Sequence, residues 1–341
     1  MYELTPKQAQ KIVNKMMKDI PYNINIMDKT GIIIGSGNKK RIGTLHHGAA
    51  AAIKQKKIVL IEKDEEFVKK GINLPIEWND SILGVVGISG EIKETSPFGK
   101  LVKSTVLLLI EQSIASEKEN RRKNVKHDFF NLLIDPTTIY TKDLTDQALF
   151  YDVHLNKPSQ LVYIEFPKNV NESIVNNYPF FQPYQNTLCV VVQEPNNIKE
   201  LQEQLAKYQD VFISISKIND KIADGFLQTK LALKVLKGLF FHQKVIFYAD
   251  CEFIADLSYS LRKIKKTAPQ SDLLETNDEL IKTLQAYLNC NMNMNETASQ
   301  LIVHRNTLNY RLNRIHKITG KDPKNILDLL ELIFMLINRI K

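Results

Sequence analysis

Glycine is spread so unevenly along this chain that one set of folding rules cannot hold throughout. Ten of the 13 glycines lie at or before Gly99, and the next is Gly225. Glycine admits left-handed backbone and close approach between segments. The first hundred residues are therefore suited to a meander of short strands and tight turns, and the rest to longer elements. At 341 residues the chain is long enough for several domains. With 43% hydrophobic and 25% charged residues it has the balance of a globular protein, not of a disordered one.

The pattern along the chain predicts four segments. Residues 1–112 open with a helix over Thr5 to Met17 and continue as NINIMDKTGIIIGSG, two apolar runs flanking the turn residues Asp28 to Gly31. HHGAAAAIKQKK reads as a small-residue helix, followed by strands in VLIEK, LPIEW and ILGVVGISG, with Asn79 and Asp80 as a turn. This is an α+β unit of PAS-like size. From about Leu101 to Leu133 the spacing turns helical, and residues 113–135 are assigned as a linker helix that pairs with its copy or lies exposed. Residues 136–255 carry strand-like LVYIEF, LCVVV, VFISIS and VIFYAD with a helix over Ala223 to Leu239, again α+β. Lys263 to Asp272 reads as a polar linker, and 273–341 as wholly helical.

Several functions find no support. The N-terminus, MYELTPKQAQK, has no apolar signal region. The longest apolar runs, such as Val106 to Ile110, are far shorter than a membrane span, so no membrane partner and a cytoplasmic location are expected. Cys189, Cys251 and Cys290 lie too far apart for a disulfide framework or a metal knuckle and are expected to be reduced. No G-x-S-x-G, H-E-x-x-H or C-x-x-C is present, and no glycine stands between Gly99 and Gly225 to cradle a phosphate. The expectation is no enzyme, no cofactor and no metal.

Charge is more informative by position than in its total of +8. From Thr297 to Lys321 there is no Asp or Glu, while Arg305, Arg311, Arg314, Lys317 and Lys321 stand there with His304 and His316. Such a block can face phosphates or be a solvated basic surface. In VHRNTLNYRLNRI, Leu308, Leu312 and Ile315 fall on one helical stripe. The opposite face carries Asn306, Tyr310, Asn313 and Lys317, flanked by Arg305 and Asn309 on one side and by Thr307 and Arg314 on the other. Upstream, Asn295 is the expected cap of a short helix through Leu301, and Ile302 to His304 make a turn. That is the layout of a helix-turn-helix, whose second helix enters the major groove. Asn and Arg can read adenine and guanine in two-pronged fashion, and basic residues at the edges hold phosphates. The expected DNA-contacting set is His304, Arg305, Asn306, Thr307, Asn309, Tyr310, Asn313, Arg314 and Lys317. The competing reading is a cytoplasmic ligand sensor whose helical end binds a protein partner.

The stretch RIGTLHHGA suggests a ligand site. Arg41 can grip a carboxylate with two parallel bonds. The following helix start offers free backbone N–H groups and a favourable dipole. Gly43 and Gly48 permit close backbone approach, Ser36 ends a neighbouring strand, and His46 or His47 can donate depending on which faces inward. Adjacent histidines point about 100° apart on a helix, which disfavours joint metal ligation. The ligand expected at Ser36, Arg41, Gly43, His46, His47 and Gly48 is a small diacid or hydroxy-acid.

HRNTLNYRLNRIHKITG, with NETASQLIV before it and DLLELIFML after it, resembles the C-terminal helix-turn-helix signature of the CdaR/PucR family of bacterial transcription regulators. NINIMDKTGIIIGSGNKKRIGTLHHGA, and GVVGISGE before SPFGKLVK, resemble that family's sugar diacid recognition domain. The segment with GFLQTKLALKVLKG and VIFYAD is similar to the GGDEF-like domain between them. The resemblance implies a PAS-like sensor over 1–112, a GGDEF-like domain without a catalytic motif over 136–255, and a helix-turn-helix domain over 273–341. It implies effectors such as glucarate, galactarate or glycerate, an operator in double-stranded DNA, and a homodimer or higher homo-oligomer.

Overall fold

The computed structural model describes residues 3–64, 69–78, 81–168, 170, 172–175, 177–194, 198–208, 210–240, 242–264 and 277–340. The expected turn at Asn79 and Asp80, and all of the expected linker beyond Ile264, lie outside them. The protein is mixed α/β, with two five-stranded sheets and eleven α-helices among the described residues. It divides into two compact units, Met1–Lys123 and Asn124–Lys341.

The first unit opens with α1 (Pro6–Met16), whose start is fixed by a reciprocal cap between Thr5 and Gln8. Its sheet contains β1 (Asn23–Asp28), β2 (Ile33–Ser36), β3 (Val59–Ile61), β4 (Gly71–Trp78) and β5 (Ser81–Ser89), all antiparallel in the order β2-β1-β5-β4-β3. The β1–β2 turn is held by Asp28, whose Oδ1 accepts from the backbone of Thr30 and Ile32. Side chains alternate between the two faces. Ile24, Ile26, Ile72, Leu74, Val86 and Ile88 meet Ile12, Val13 and Met16 of α1 and Val102, Val106 and Ile110 of α3 (Ile92–Leu133). Burial of each such aliphatic side chain contributes about 1.5–3 kcal/mol. The other face is covered by α2 (His47–Gln55), whose Ala49 and Ala52 pack on Met27, Ile33 and Val85.

Helix α3 begins at Ile92, not near Leu101, and Pro97 and Gly99 lie inside it. Gly99 is no breaker here. A Cβ on it would stand 2.4 Å from Ile72 Cδ1, so glycine lets the helix lie on the sheet without shifting that side chain.

The second unit contains the end of α3, α4 (Lys142–Leu149), β6 (Ser159–Glu165), β7 (Phe180–Phe181), β8 (Thr187–Val192), α5 (Ile198–Leu205), β9 (Phe212–Asn219), α6 (Ile222–Leu239), β10 (Val245–Phe247) and α7 (Tyr248–Ile264). Its sheet order is β10-β9-β6-β8-β7, with β10 parallel to β9. The run VIFYAD is strand only through Phe247, and its YAD begins α7. Four helices close the chain: α8 (Asp278–Asn289), α9 (Met294–Gln300), α10 (Arg305–Thr319) and α11 (Ile326–Asn338). They pack with α6 around one continuous core that includes Leu236, Leu239, Leu284, Leu308, Leu312 and Leu332. The apolar run from Ile326 to Ile337 therefore buries Leu329, Leu332, Leu336 and Ile337 within its own chain, leaving Ile326, Leu327 and Leu330 exposed.

Candidate functional site

In the first unit the residues of RIGTLHHGA lie along the approach to α2. Arg41 ends a short 3-10 turn (Lys39–Arg41) begun by Asn38, whose side chain accepts from Lys40 N. Its carbonyl accepts from Thr44 Oγ1 at 2.7 Å. The guanidinium is partly buried, which lowers its pKa, and it forms no ion pair among the described residues. A half-desolvated cation without a counter-ion is a receptive partner for a carboxylate. Gly43 adopts φ +86° with open space where a side chain would stand.

His46 caps α2, and its Nδ1 accepts from Ala49 N at 3.2 Å. It is 3% exposed, whereas His47 faces solvent. Burial, then the nearby Arg41 charge, push the His46 pKa down to about 4. The neutral ring with Nδ1 accepting carries its hydrogen on Nε2, as a donor. Gly48 is buried in the first turn of α2, where a Cβ would lie 2.5 Å from Ile61 Cδ1 and 2.7 Å from Asn73 Nδ2. Ser36 is fully buried; its hydroxyl donates to Asn25 Oδ1 at 2.6 Å and accepts from Asn38 N at 3.0 Å.

In the second unit, α9 is capped by Asn293, two residues before the expected Asn295, because Asn293 Oδ1 reaches the N–H groups of both Asn295 and Glu296. The helix ends at the buried Ala298 corner. Val303 N donates to Ala298 O, and Ile302, 91% exposed, turns the chain at φ +55°. His304 caps α10 through Nδ1 to Asn306 N. Leu308, Leu312 and Ile315 are buried, while His304, Arg305, Asn306, Thr307, Asn309, Tyr310, Asn313, Arg314 and Lys317 are all exposed. Arg311 differs from the other arginines of α10. It is half-buried and paired with Glu279 of α8, so it positions the helix within the core. Lys324 adds a basic group to the exposed surface, donating to Asn309 Oδ1 at 2.6 Å.

Residues 4–133 match the family model described as "Putative sugar diacid recognition". Residues 280–337 match that of the PucR C-terminal helix-turn-helix domain. The carbohydrate diacid regulator of Escherichia coli is 28% identical over 96% of this chain and 96% of its own length. An uncharacterized protein of Haemophilus influenzae is 33% identical over 93% of this chain and 94% of that protein. The chain belongs to the CdaR/PucR family of transcriptional regulators. YsfB, an uncharacterized protein of Bacillus subtilis, is 25% identical over 93% of both chains. As a CdaR/PucR regulator the chain has its helix-turn-helix in α9 and α10. No helix among the described residues is long and apolar enough to cross a membrane.

Sequence reasoning singled out neither Asn25 nor Asn73 of the first unit. Both are buried on the sheet face beneath α2. Their signal was an amide between apolar strand residues, which reads equally well as a solvent-facing position. A prediction arises from His46. Its folded pKa lies below the ordinary histidine value of 6.5, so its contribution to stability is complete above pH 6.5 and is lost as pH falls toward 4. His46→Asn keeps a capping side chain but removes this titration. Chemical denaturation across pH 4–7 should show the variant losing less stability than the wild type between pH 6.5 and 4.5. Parallel curves would refute the assignment.

Proposed function

We propose that this protein is a ligand-responsive regulator of carbohydrate diacid utilisation, binding a glucarate-, galactarate- or glycerate-type acid in its first unit and operator DNA through α10. The observation that carries this reading is the acid-free exposed face of α10, laid over a fully buried Leu308–Leu312–Ile315 stripe. A protein-docking helix has no need to exclude carboxylates from its whole outer face; a phosphate-facing one does. The E. coli relative is named a carbohydrate diacid regulator, which supports the effector class. Arg41, neutral His46 and the α2 N-terminus supply one anion-holding group, with Gly43 and Gly48 beside it.

The antiparallel order β2-β1-β5-β4-β3 supports a PAS-like sensor. The second unit's sheet, with α5 and α6, supports a GGDEF-like spacer without catalytic loop. Acid binding selects one arrangement of the sensor and α3, and a homodimer converts that into a spacing of two α10 helices against half-sites. The protein acts in the cytoplasm.

Capture and sequencing of genomic DNA fragments tests this, with wild type and an Asn306→Ala/Tyr310→Ala variant, with and without glucarate and glycerate. Enrichment of a two-fold symmetric site that the variant loses is the expected result. No enrichment at low salt from folded protein under every ligand condition would move the reading to a protein-binding sensor. Arg41→Ala should abolish the rise in melting temperature that saturating acid gives the wild type; an unchanged rise would remove Arg41 from the site.

A further inference from the structure

Four residues form a straight row across the sheet face beneath α2. Ser36 pairs with Asn25, Asn25 with Gly87, and Gly87 with Asn73, on β2, β1, β5 and β4 in turn. Adjacent strands lie about 4.8 Å apart, and Gly87, which has no side chain, stands between the two asparagines. A Cβ there would stand 3.0 Å from Asn73 Oδ1, 3.2 Å from Met27 Cε and 3.9 Å from Asn25 Cβ, so the space is close-fitting. The first turn of α2 lies beside Asn73: a Cβ on Gly48 would stand 2.7 Å from Asn73 Nδ2 and 3.2 Å from His46 Cε1.

Both amides are incompletely bonded. Asn25 is 1% exposed, and its Oδ1 accepts from Ser36 Oγ at 2.6 Å and Asn23 Nδ2 at 3.1 Å. With the oxygen so bonded, its Nδ2 has no acceptor among the described residues. Asn73 is 2% exposed, and its Oδ1 has no donor among them. Leaving a buried polar atom unpaired costs about 1–3 kcal/mol. Two such atoms, one donor and one acceptor, belong to the same row on the sheet face beneath α2.

We infer that Asn25 Nδ2 and Asn73 Oδ1 are the hydroxyl-reading pair of the ligand site, selecting an acid that carries a hydroxyl next to the carboxylate held at Arg41 and the α2 N-terminus. This rests on the acid-binding reading of that site and deepens it. The chemistry follows from what each group can do. A hydroxyl both donates and accepts, so one hydroxyl, or two neighbouring ones, satisfies both amides. A second carboxylate can only accept, and would leave Asn73 Oδ1 facing an anion. A methylene satisfies neither and leaves both buried and dry. Selection is therefore made by the hydroxyl, and a second carboxylate is not what these two residues read.

The test is calorimetric titration of the full chain with glucarate, glycerate and adipate, the last a six-carbon diacid without hydroxyls. Wild type should bind at least one hydroxy-acid about 100-fold or more tighter than adipate. Asn73→Leu should lose most of that preference, weakening the hydroxy-acid by about 30-fold or more and adipate by far less. Its ligand-free melting temperature should fall by less than that of a typical core substitution, since an unpaired buried oxygen has been replaced by an apolar group of the same branching. Asn73→Ala should show the same loss of preference, which guards against a misfit of leucine. Adipate binding as tightly as the hydroxy-acids, or an Asn73→Leu protein with wild-type preference, would overturn the inference while leaving the Arg41 site standing. Failure of all three acids to bind the wild type would overturn both.

Discussion

Replacing Arg305 and Arg314 together with alanine should weaken operator binding by roughly 100-fold at 0.15 M salt and reduce the slope of log affinity against log salt by about 2. Both side chains are exposed on α10, and neither forms an ion pair among the described residues. Each is thus free to neutralise a phosphate, and each phosphate contact releases about one counterion. The helix itself is held by Leu308, Leu312 and Ile315, which the substitutions do not touch. Surface changes of this kind shift stability by no more than about 0.5 kcal/mol, so circular dichroism and melting should match the wild type. Arg311→Ala supplies the contrast. That arginine is tied to Glu279 and faces inward, so its loss should leave the salt slope within about 0.5 of the wild type. Fluorescence anisotropy on a captured operator fragment at four salt concentrations reads both quantities. A double variant with the wild-type slope would show that α10 does not face the phosphates.

What could be read from the sequence, and what could not, follows from the range of the forces involved. The apolar stripe of α10 is local, with period 3.6, and its exposed face came out residue by residue. The hairpin at Asp28 to Gly31 is local too. Which of His46 and His47 faces inward was open, because the answer depends on where the helix starts. His46 is the cap and lies outside the helical turn, which sends its ring back toward Ala49 N. The cap of α9 was placed two residues late for a similar reason: Asn293 and Asn295 are both good caps by type. Strand VIFYAD turns to helix at Tyr248, although nothing in its apolar pattern marks the change. Asn25 and Asn73 were invisible as a pair because they lie on β1 and β4, which are separated by β5. Only the strand order brings them to the two sides of Gly87, and strand order is a long-range property.

Gly238→Ala should destabilise the second unit by about 2–4 kcal/mol, although alanine is the better helix former by about 1 kcal/mol. Gly238 lies near the end of α6, where a Cβ would stand 2.9 Å from Ile337 Cα and 2.9 Å from the Leu336 carbonyl oxygen of α11. Those are backbone atoms, so relief requires α11 to move as a body and not a side chain to rotate. The same stretch of α6 is bonded to α8. Gln285 Nε2 donates to Gly238 O at 2.8 Å, and Asn289 Nδ2 to Leu239 O at 3.3 Å. Gln285 is itself only 3% exposed, so separation would leave a buried amide and a carbonyl unpaired. The C-terminal helices are thus joined to α6 by one glycine contact and two amides as well as by the shared core. This gives a physical route by which displacement of α6 would reach α10, since Leu308 and Leu312 share a core with Leu236 and Leu239. Urea denaturation should show Gly238→Ala with a lowered midpoint, and operator affinity should fall with it as α11 lifts. A variant as stable as the wild type would mean that α6 and α11 are not in this close contact in solution.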